Sequence, residues 1–170
     1  MGPGSGIYKF ILVLHLLAVI AGFGPTILAP AFGAQAKARK GREGLAISEA
    51  TFSVLSKYAE WIIYSVPIFG ILLIMVSDGA IRFSDLWITL SFTLYIVALG
   101  LVHAVHYKNL KRMNVLMAEL AAGPPPGAGG GGPPPQVAEL EQRGKQVALV
   151  GTVLNLILVA IVFLMVWQPR

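Results

Sequence analysis

Three histidines are the residues in this apolar chain whose chemistry would matter most. His15 lies in a long hydrophobic run, while His103 and His106 lie three residues apart much farther along the chain. An imidazole can ligate haem iron or another metal, or carry protons between neighbouring groups. The sequence has no cysteine, which excludes disulfides, thiolate catalysis and cysteine-ligated metal sites.

His15 is the first candidate for a cofactor-binding residue. Its position in the hydrophobic run predicts a depth of about 8 Å below one surface of the hydrocarbon. An ionisable side chain there is unfavourable unless it faces other helices and has a partner. It is therefore either a ligand of haem b or a metal ion, or a neutral imidazole hydrogen-bonded to a neighbouring helix. Asp85, Thr89 and Ser91 of the third helix are at comparable depth and are the predicted partners.

The pair His103 and His106 is the candidate metal site. Residues at i and i+3 share a helix face, so the two imidazoles could chelate one cation. Glu60, near the same membrane surface, offers an oxygen ligand. Two histidines without a fixed third ligand are a weak signal of a metal site, and the alternative is a pair of polar residues at the headgroup level. The pair lies on the opposite side of the membrane from His15, so one haem cannot bridge the two sites.

Hydropathy predicts the elements that must position these residues. The chain is 56% hydrophobic and 12% charged, with mean hydropathy +0.74, whereas soluble domains average about 25% charged residues. The residues from Phe10 to Phe32 include no charged side chain. We predict a single transmembrane domain over 1–170 with four spanning helices, at 7–32, 58–77, 85–107 and 147–168. The lipid bilayer is its first partner.

Polar segments lie between these spans. Residues 34–46 are predicted to form a basic loop, and 47–57 an amphipathic lead-in to helix 2. A helical stripe continues helix 3 beyond the membrane, and 136–146 is polar and helix-prone. Residues 123–135 are predicted to be a disordered Pro/Gly linker. The predicted fold is an antiparallel bundle of four transmembrane helices with cytoplasmic helical extensions.

Lysine and arginine placement predicts the orientation. Most basic residues fall in the connection after helix 1 and the connection between helices 3 and 4. The positive-inside rule then places these connections in the cytoplasm and both termini outside. The net charge of +5 is explained by this asymmetry, without a nucleic-acid partner.

Two helix-interior prolines mark the middle of the membrane. Pro25 and Pro67 each remove a backbone donor and free the carbonyl four residues earlier, which is Ile63 for Pro67. Lipid offers no donor, so other helices must supply one. We predict that the side chains of Tyr95 and Asn155 do so and hold the kinked helices together. The alternative is a substrate site at the broken helices.

Two segments carry a resemblance to a known family: Lys9-x5-His15-Leu-Leu-Ala-Val-Ile-Ala-Gly22-Phe-Gly24 in helix 1 and Ser84-Asp85-Leu-Trp87-Ile entering helix 3. They resemble a family of small bacterial integral membrane proteins of unknown function, which implies the bacterial cytoplasmic (inner) membrane. More distantly, the context of His15 is similar to copper-resistance D-type proteins and haem-binding membrane protoporphyrinogen oxidases. Those families use a first-helix histidine for haem or metal, which implies that role for His15. The chain lacks the buried lysine and the tryptophan of the oxidase pattern, so the resemblance implies a retained fold with altered or absent haem.

Three classes of function follow from the sequence. No phosphate-binding loop, nucleophile elbow or paired-acid motif occurs, which favours a protein without enzymatic activity. The leading expectation is an accessory or scaffold subunit that binds a membrane-protein partner or a second copy through its helical extensions. The alternatives are a haem- or metal-binding redox protein centred on His15 and a small oligomeric transporter.

Overall fold

Four long helices make up nearly all of the protein. The computed structural model describes residues 2–39, 41–123 and 134–169, and no strand occurs among them. The helices are α1 (Gly6–Ala38), α2 (Arg42–Val76), α3 (Leu86–Ala122) and α4 (Pro135–Trp167), each long and apolar enough to cross a membrane. The prediction of an all-α fold with four spans is confirmed, and the protein is a multi-pass membrane protein. Most of the predicted linker, at 124–133, lies outside the described residues.

Each helix is longer than a membrane requires. The four contain 33 to 37 residues, or about 50–55 Å at 1.5 Å per residue, against about 30 Å of hydrocarbon. α1 begins behind Ser5, whose hydroxyl accepts a hydrogen bond from the backbone of Tyr8 at 3.3 Å, and α4 begins with Pro135 in its first turn. Both are favourable helix starts. The predicted extensions of helices 2, 3 and 4 are therefore present as continuous helix.

The predicted basic loop at 34–46 is wrong. α1 continues to Ala38 and α2 begins at Arg42, so the connection is only three residues long. Gly41 adopts a φ of 74°, which favours glycine. A side chain on Gly44 would overlap the carbonyl oxygen of Arg39, so the two helix ends meet too closely for any larger residue. The basic residues misled the prediction because they lie on helix ends that project beyond the apolar segment.

The connection between α2 and α3 contains the predicted turn at Asp78 and Gly79. Their φ angles are 58° and 79°, which confirms the turn. The hydroxyl of the buried Ser77 donates to the carbonyl of Ile74 at 2.8 Å and accepts from the amide of Ile81 at 3.1 Å. This side chain therefore ties the end of α2 to the turn.

Helix pairing places α1 against α2 and α3 against α4, with further contacts between the extensions of α2 and α3. A compact apolar cluster forms at the end of the bundle that holds the α2–α3 turn, around Ile74, Trp87 and Ile88. Outside such clusters the spans face outward, since only 6–22% of the residues in their apolar windows are buried inside the protein. Lipid must cover the remainder.

Charged side chains join the extensions of α3 and α4. Arg112 donates two hydrogen bonds to the carboxylate of Glu139, at 3.1 and 3.0 Å. Arg143 donates to the same carboxylate at 2.8 Å and to the side-chain oxygen of Asn109 at 2.8 Å. The hydrogen bonds from Arg112 and then Arg143 lower the pKa of Glu139 from an ordinary 4.5 to about 2. The extensions therefore pack through a shared carboxylate between two guanidinium groups.

Both α2 and α3 change their winding where they leave the extensions. Val54–Ala59 in α2 and Val102–His106 in α3 are π-helical turns, in which backbone hydrogen bonds span five residues instead of four. Each turn lies directly beside candidate site residues, since Glu60 follows the first and two histidines belong to the second.

Candidate functional site

His15 is buried between α1 and α2, and its environment differs from the predicted one. Only 5% of the residue is exposed, and Nδ1 lies 3.0 Å from the carbonyl oxygen of Val66. A side chain on Gly70 would lie 3.5 Å from the imidazole Cε1, so this glycine lets α2 approach the ring. The predicted partners on helix 3 are wrong, because counting residues along a span does not tell which neighbouring helix a side chain faces.

The hydrogen bond of His15 also defines its chemistry. A carbonyl can only accept, so Nδ1 must carry the proton, and a neutral imidazole then has its lone pair on Nε2. Metal-ligating histidines often have this arrangement. A backbone partner equally satisfies a purely structural histidine, so the cofactor-binding role of His15 stays a prediction.

Side chains from two helices hold the turn of α2 around Pro67. The hydroxyl of Tyr95 in α3 donates to the carbonyl of Ile63 at 3.1 Å, which confirms its predicted role. His15 in α1 bonds the carbonyl of the residue just before the proline. The α2 turn around Pro67 is thus bonded by side chains of both α1 and α3.

A hydrogen-bonded cluster lies where α2 and α3 leave their π-helical turns. The hydroxyl of Tyr64 donates to Glu60 Oε1 at 2.6 Å and lies 2.8 Å from Nε2 of His103. Because the single hydroxyl proton goes to the carboxylate, Nε2 of His103 must donate to the tyrosine oxygen. The Tyr64 and His103 rings are also stacked, with centroids 6.3 Å apart and planes at 22°. His103 Nε2 lies 3.6 Å from Glu60 Oε1.

His106 is buried on the opposite side of the π-helical turn of α3 from His103. The residue is 9% exposed, and its Nδ1 has no hydrogen-bond partner within the described part of the chain. A side chain on Gly151 of α4 would lie 3.9 Å from His106 Cε1, so the ring faces α4 whereas His103 bonds to α2. No three His, Cys, Asp or Glu side chains among the described residues group as metal ligands. The metal site at His103 and His106 stays a prediction.

All four helices contribute to the wall of a partly open cavity of about 70 Å³ beside this cluster. Its walls are mostly aliphatic and aromatic, with polar side chains at seven positions: Thr26, Glu60, Tyr95, His103, His106, Tyr107 and Asn155. Oδ1 of Asn155 has no partner among the described residues, and the Tyr107 hydroxyl donates to the carbonyl of Leu55 at 3.1 Å. Among the described residues that line the cavity there is one carboxylate and no lysine or arginine.

The sequence predicts most of these residues but only part of their grouping. Glu60 and His103 lie together as expected, whereas the ring of His106, the third predicted metal ligand, faces α4. Tyr64 was missed. Its position four residues after Glu60 was the available signal, because i and i+4 side chains meet on one helix face. Ser91, a predicted partner of His15, is buried with its hydroxyl unpartnered within the described residues.

Comparison with known proteins leaves the geometry as the basis for assigning a function. The resemblance to bacterial membrane protein families stays a prediction. No protein family, no curated protein and no solved structure matches this chain.

Proposed function

We propose that this protein is a small membrane transporter whose substrate site is the interior cavity. The observation that supports it is a pair of buried polar atoms on two helices, His106 Nδ1 and Asn155 Oδ1. Both atoms belong to residues of the cavity wall, and neither has a hydrogen-bond partner within the described residues. Leaving a buried donor or acceptor unpaired costs about 1–3 kcal/mol. A solute that hydrogen-bonds to both atoms recovers that free energy, so the cavity favours its binding.

The position of the cavity fits transport. All four helices contribute to its wall, which includes Tyr95, and Tyr95 bonds to the α2 turn that Pro67 interrupts. Transporters commonly bind substrates near the middle of the membrane beside interrupted helices. π-Helical turns are also frequent at functional sites, and both turns of this protein contribute residues to the cavity wall.

The cavity also limits the size of the substrate. A cavity needs about 10–15 Å³ of free volume to hold one water molecule. At about 70 Å³, this cavity therefore holds roughly five to seven water-sized groups. Solutes of a few non-hydrogen atoms fit this space.

We further propose that the protein resides in the bacterial cytoplasmic membrane with its extensions in the cytoplasm. The support is the concentration of lysine and arginine in the segments that join the apolar spans. Both termini then lie outside, and Glu60 and His103 lie toward the cytoplasmic side of the cavity.

Solute flux into proteoliposomes tests the transport proposal. The purified protein would be reconstituted, and uptake of radiolabelled methylammonium, acetamide and formate measured against protein-free vesicles. Asn155→Leu removes one unpaired acceptor and fills part of the cavity, so uptake should fall about tenfold or more. Leu156→Ala is the matched control, because the neighbouring Leu156 is 64% exposed and faces away from the cavity.

The result that refutes transport is equal uptake by the wild type, the Asn155 variant and empty vesicles for every solute. A circular-dichroism melt of each variant separates loss of uptake from loss of fold. The accessory-subunit and His15-centred redox interpretations stay predictions, with the exposed extensions and the Nε2 lone pair as their respective support.

A further inference from the structure

We propose that the cavity selects small cations that carry several N–H donors, the class of ammonium and primary alkylammonium ions. This inference rests on the proposed transport function and narrows its substrate. It follows from the charge, the hydrogen-bonding groups and the size of the cavity wall, which independently favour the same kind of solute.

The charge of the cavity wall disfavours anions. The described residues that line the cavity include the carboxylate of Glu60 and no lysine or arginine. A charge transferred into a membrane interior needs an opposite charge beside it. Glu60 supplies a negative charge, and its two hydrogen-bonding neighbours, Tyr64 and His103, need no net charge to make their observed contacts. A cation is therefore the complementary ion, and an anion would be repelled.

The unpaired atoms require donors from the solute. Asn155 Oδ1 is an acceptor, and His106 Nδ1 is one when the imidazole proton is on Nε2. An alkylammonium group has three N–H donors and no acceptor. It can therefore donate a hydrogen bond to either acceptor, whereas an alkali-metal ion cannot donate one at all.

The apolar part of the wall suits the same solutes. Phe23, Tyr95 and Tyr107 contribute aromatic rings to the cavity, and ring faces attract ammonium groups more strongly once water is removed. The volume of about 70 Å³ is less than half of the roughly 150 Å³ found in a cavity that binds benzene. Ammonium and methylammonium fit this space, and aromatic amines do not.

A comparison of the uptake of three probes of similar size tests the selectivity. Uptake of methylammonium, acetamide and formate would be measured in the same proteoliposomes at neutral pH, where an alkylamine is almost wholly protonated. We expect methylammonium uptake to exceed acetamide uptake by about tenfold or more, with formate at the level of empty vesicles. Glu60→Gln should abolish the preference for the cation, and Glu60→Asp should keep part of it.

Glu49→Gln is the matched control, because it removes an exposed carboxylate from the same helix outside the cavity. Its uptake should equal that of the wild type. If acetamide enters as fast as methylammonium and both depend on Asn155, the protein transports solutes but the cation selectivity is refuted. A Glu60→Gln variant that still prefers methylammonium would refute the selectivity as well. If no probe enters faster than in empty vesicles, both proposals fail.

Discussion

The hydrogen bond between Tyr95 and the α2 backbone offers the sharpest test of how the bundle is held together. Tyr95→Phe removes only the hydroxyl that donates to the Ile63 carbonyl at 3.1 Å. Hydrogen bonds between membrane helices average about 0.6 kcal/mol, with a maximum near 1.7 kcal/mol. Here Pro67 has removed the usual intrahelical donor, so the carbonyl would be left unpaired. We therefore expect a loss of about 1–2 kcal/mol in the free energy of unfolding.

A second substitution shows whether Pro67 is the reason that loss of the Tyr95 hydroxyl destabilises the protein. Pro67→Ala restores a backbone N–H that can donate to the Ile63 carbonyl. In that background, Tyr95→Phe should cost no more than about 0.5 kcal/mol, because the carbonyl keeps a partner. The double-mutant cycle should therefore give a coupling free energy of about 1 kcal/mol between positions 67 and 95.

Unfolding by a denaturing detergent, followed by circular dichroism in mixed micelles, measures all four proteins. Tyr58→Phe is the matched control, since the Tyr58 ring is 65% exposed, and it should change the free energy by less than about 0.5 kcal/mol. Equal costs of Tyr95→Phe in the proline and alanine backgrounds would refute the reasoning, because the tyrosine would then stabilise something other than the freed carbonyl.

Two further predictions concern helix packing and pH. Gly22→Ala should destabilise the protein by up to about 2 kcal/mol, because the added carbon would lie 3.0 Å from Ile63 Cγ1 and 3.2 Å from its backbone nitrogen. Gly24→Ala meets no atom within 4 Å and should be neutral or stabilising by up to about 1 kcal/mol; equal melting temperatures for the two variants would contradict this. Glu139→Gln should lower the melting temperature near neutral pH, because Arg112 stabilises the ionised carboxylate. Since the pKa of Glu139 is lowered from 4.5 to about 2, that stabilisation is complete above about pH 4.5 and is lost as the pH falls toward 2. Melting curves of the wild type and the variant should converge over that interval, and a constant difference would exclude the ion pair as the cause.

The number of helices was predictable because lipid imposes a simple constraint. Twenty or so apolar residues are needed to cross the hydrocarbon, and four helices in the described part of the chain meet that requirement. The Tyr95 bond was predictable for a similar reason, since the position of a proline dictates which carbonyl loses its donor. Both predictions depended on rules that act along the chain.

Predictions that depended on the rotation of a helix were less successful. Counting residues predicts a depth for His15 but could not choose between Val66 of the adjacent helix and the polar residues of helix 3. The predicted donor role of Asn155 is not confirmed either, since its side-chain nitrogen makes no hydrogen bond to the carbonyl of Ile63, which accepts from Tyr95 instead. The π-helical turns, with sequences VLSKYA and VHAVH, contain no proline or glycine that would have marked them.

Those turns have a consequence for how variation along this chain should be interpreted. Successive residues of an α-helix are about 100° apart around the axis, and a π-helical turn accommodates one residue more than an α-helical turn. Side chains aligned along one face of α2 or α3 inside the bilayer therefore do not continue along that face in the aqueous extension. A single helical wheel drawn through either helix therefore assigns wrong angular positions to the residues on one side of the π-helical turn. Scanning mutagenesis of α2 and α3 thus has to be phased separately on the two sides of each turn.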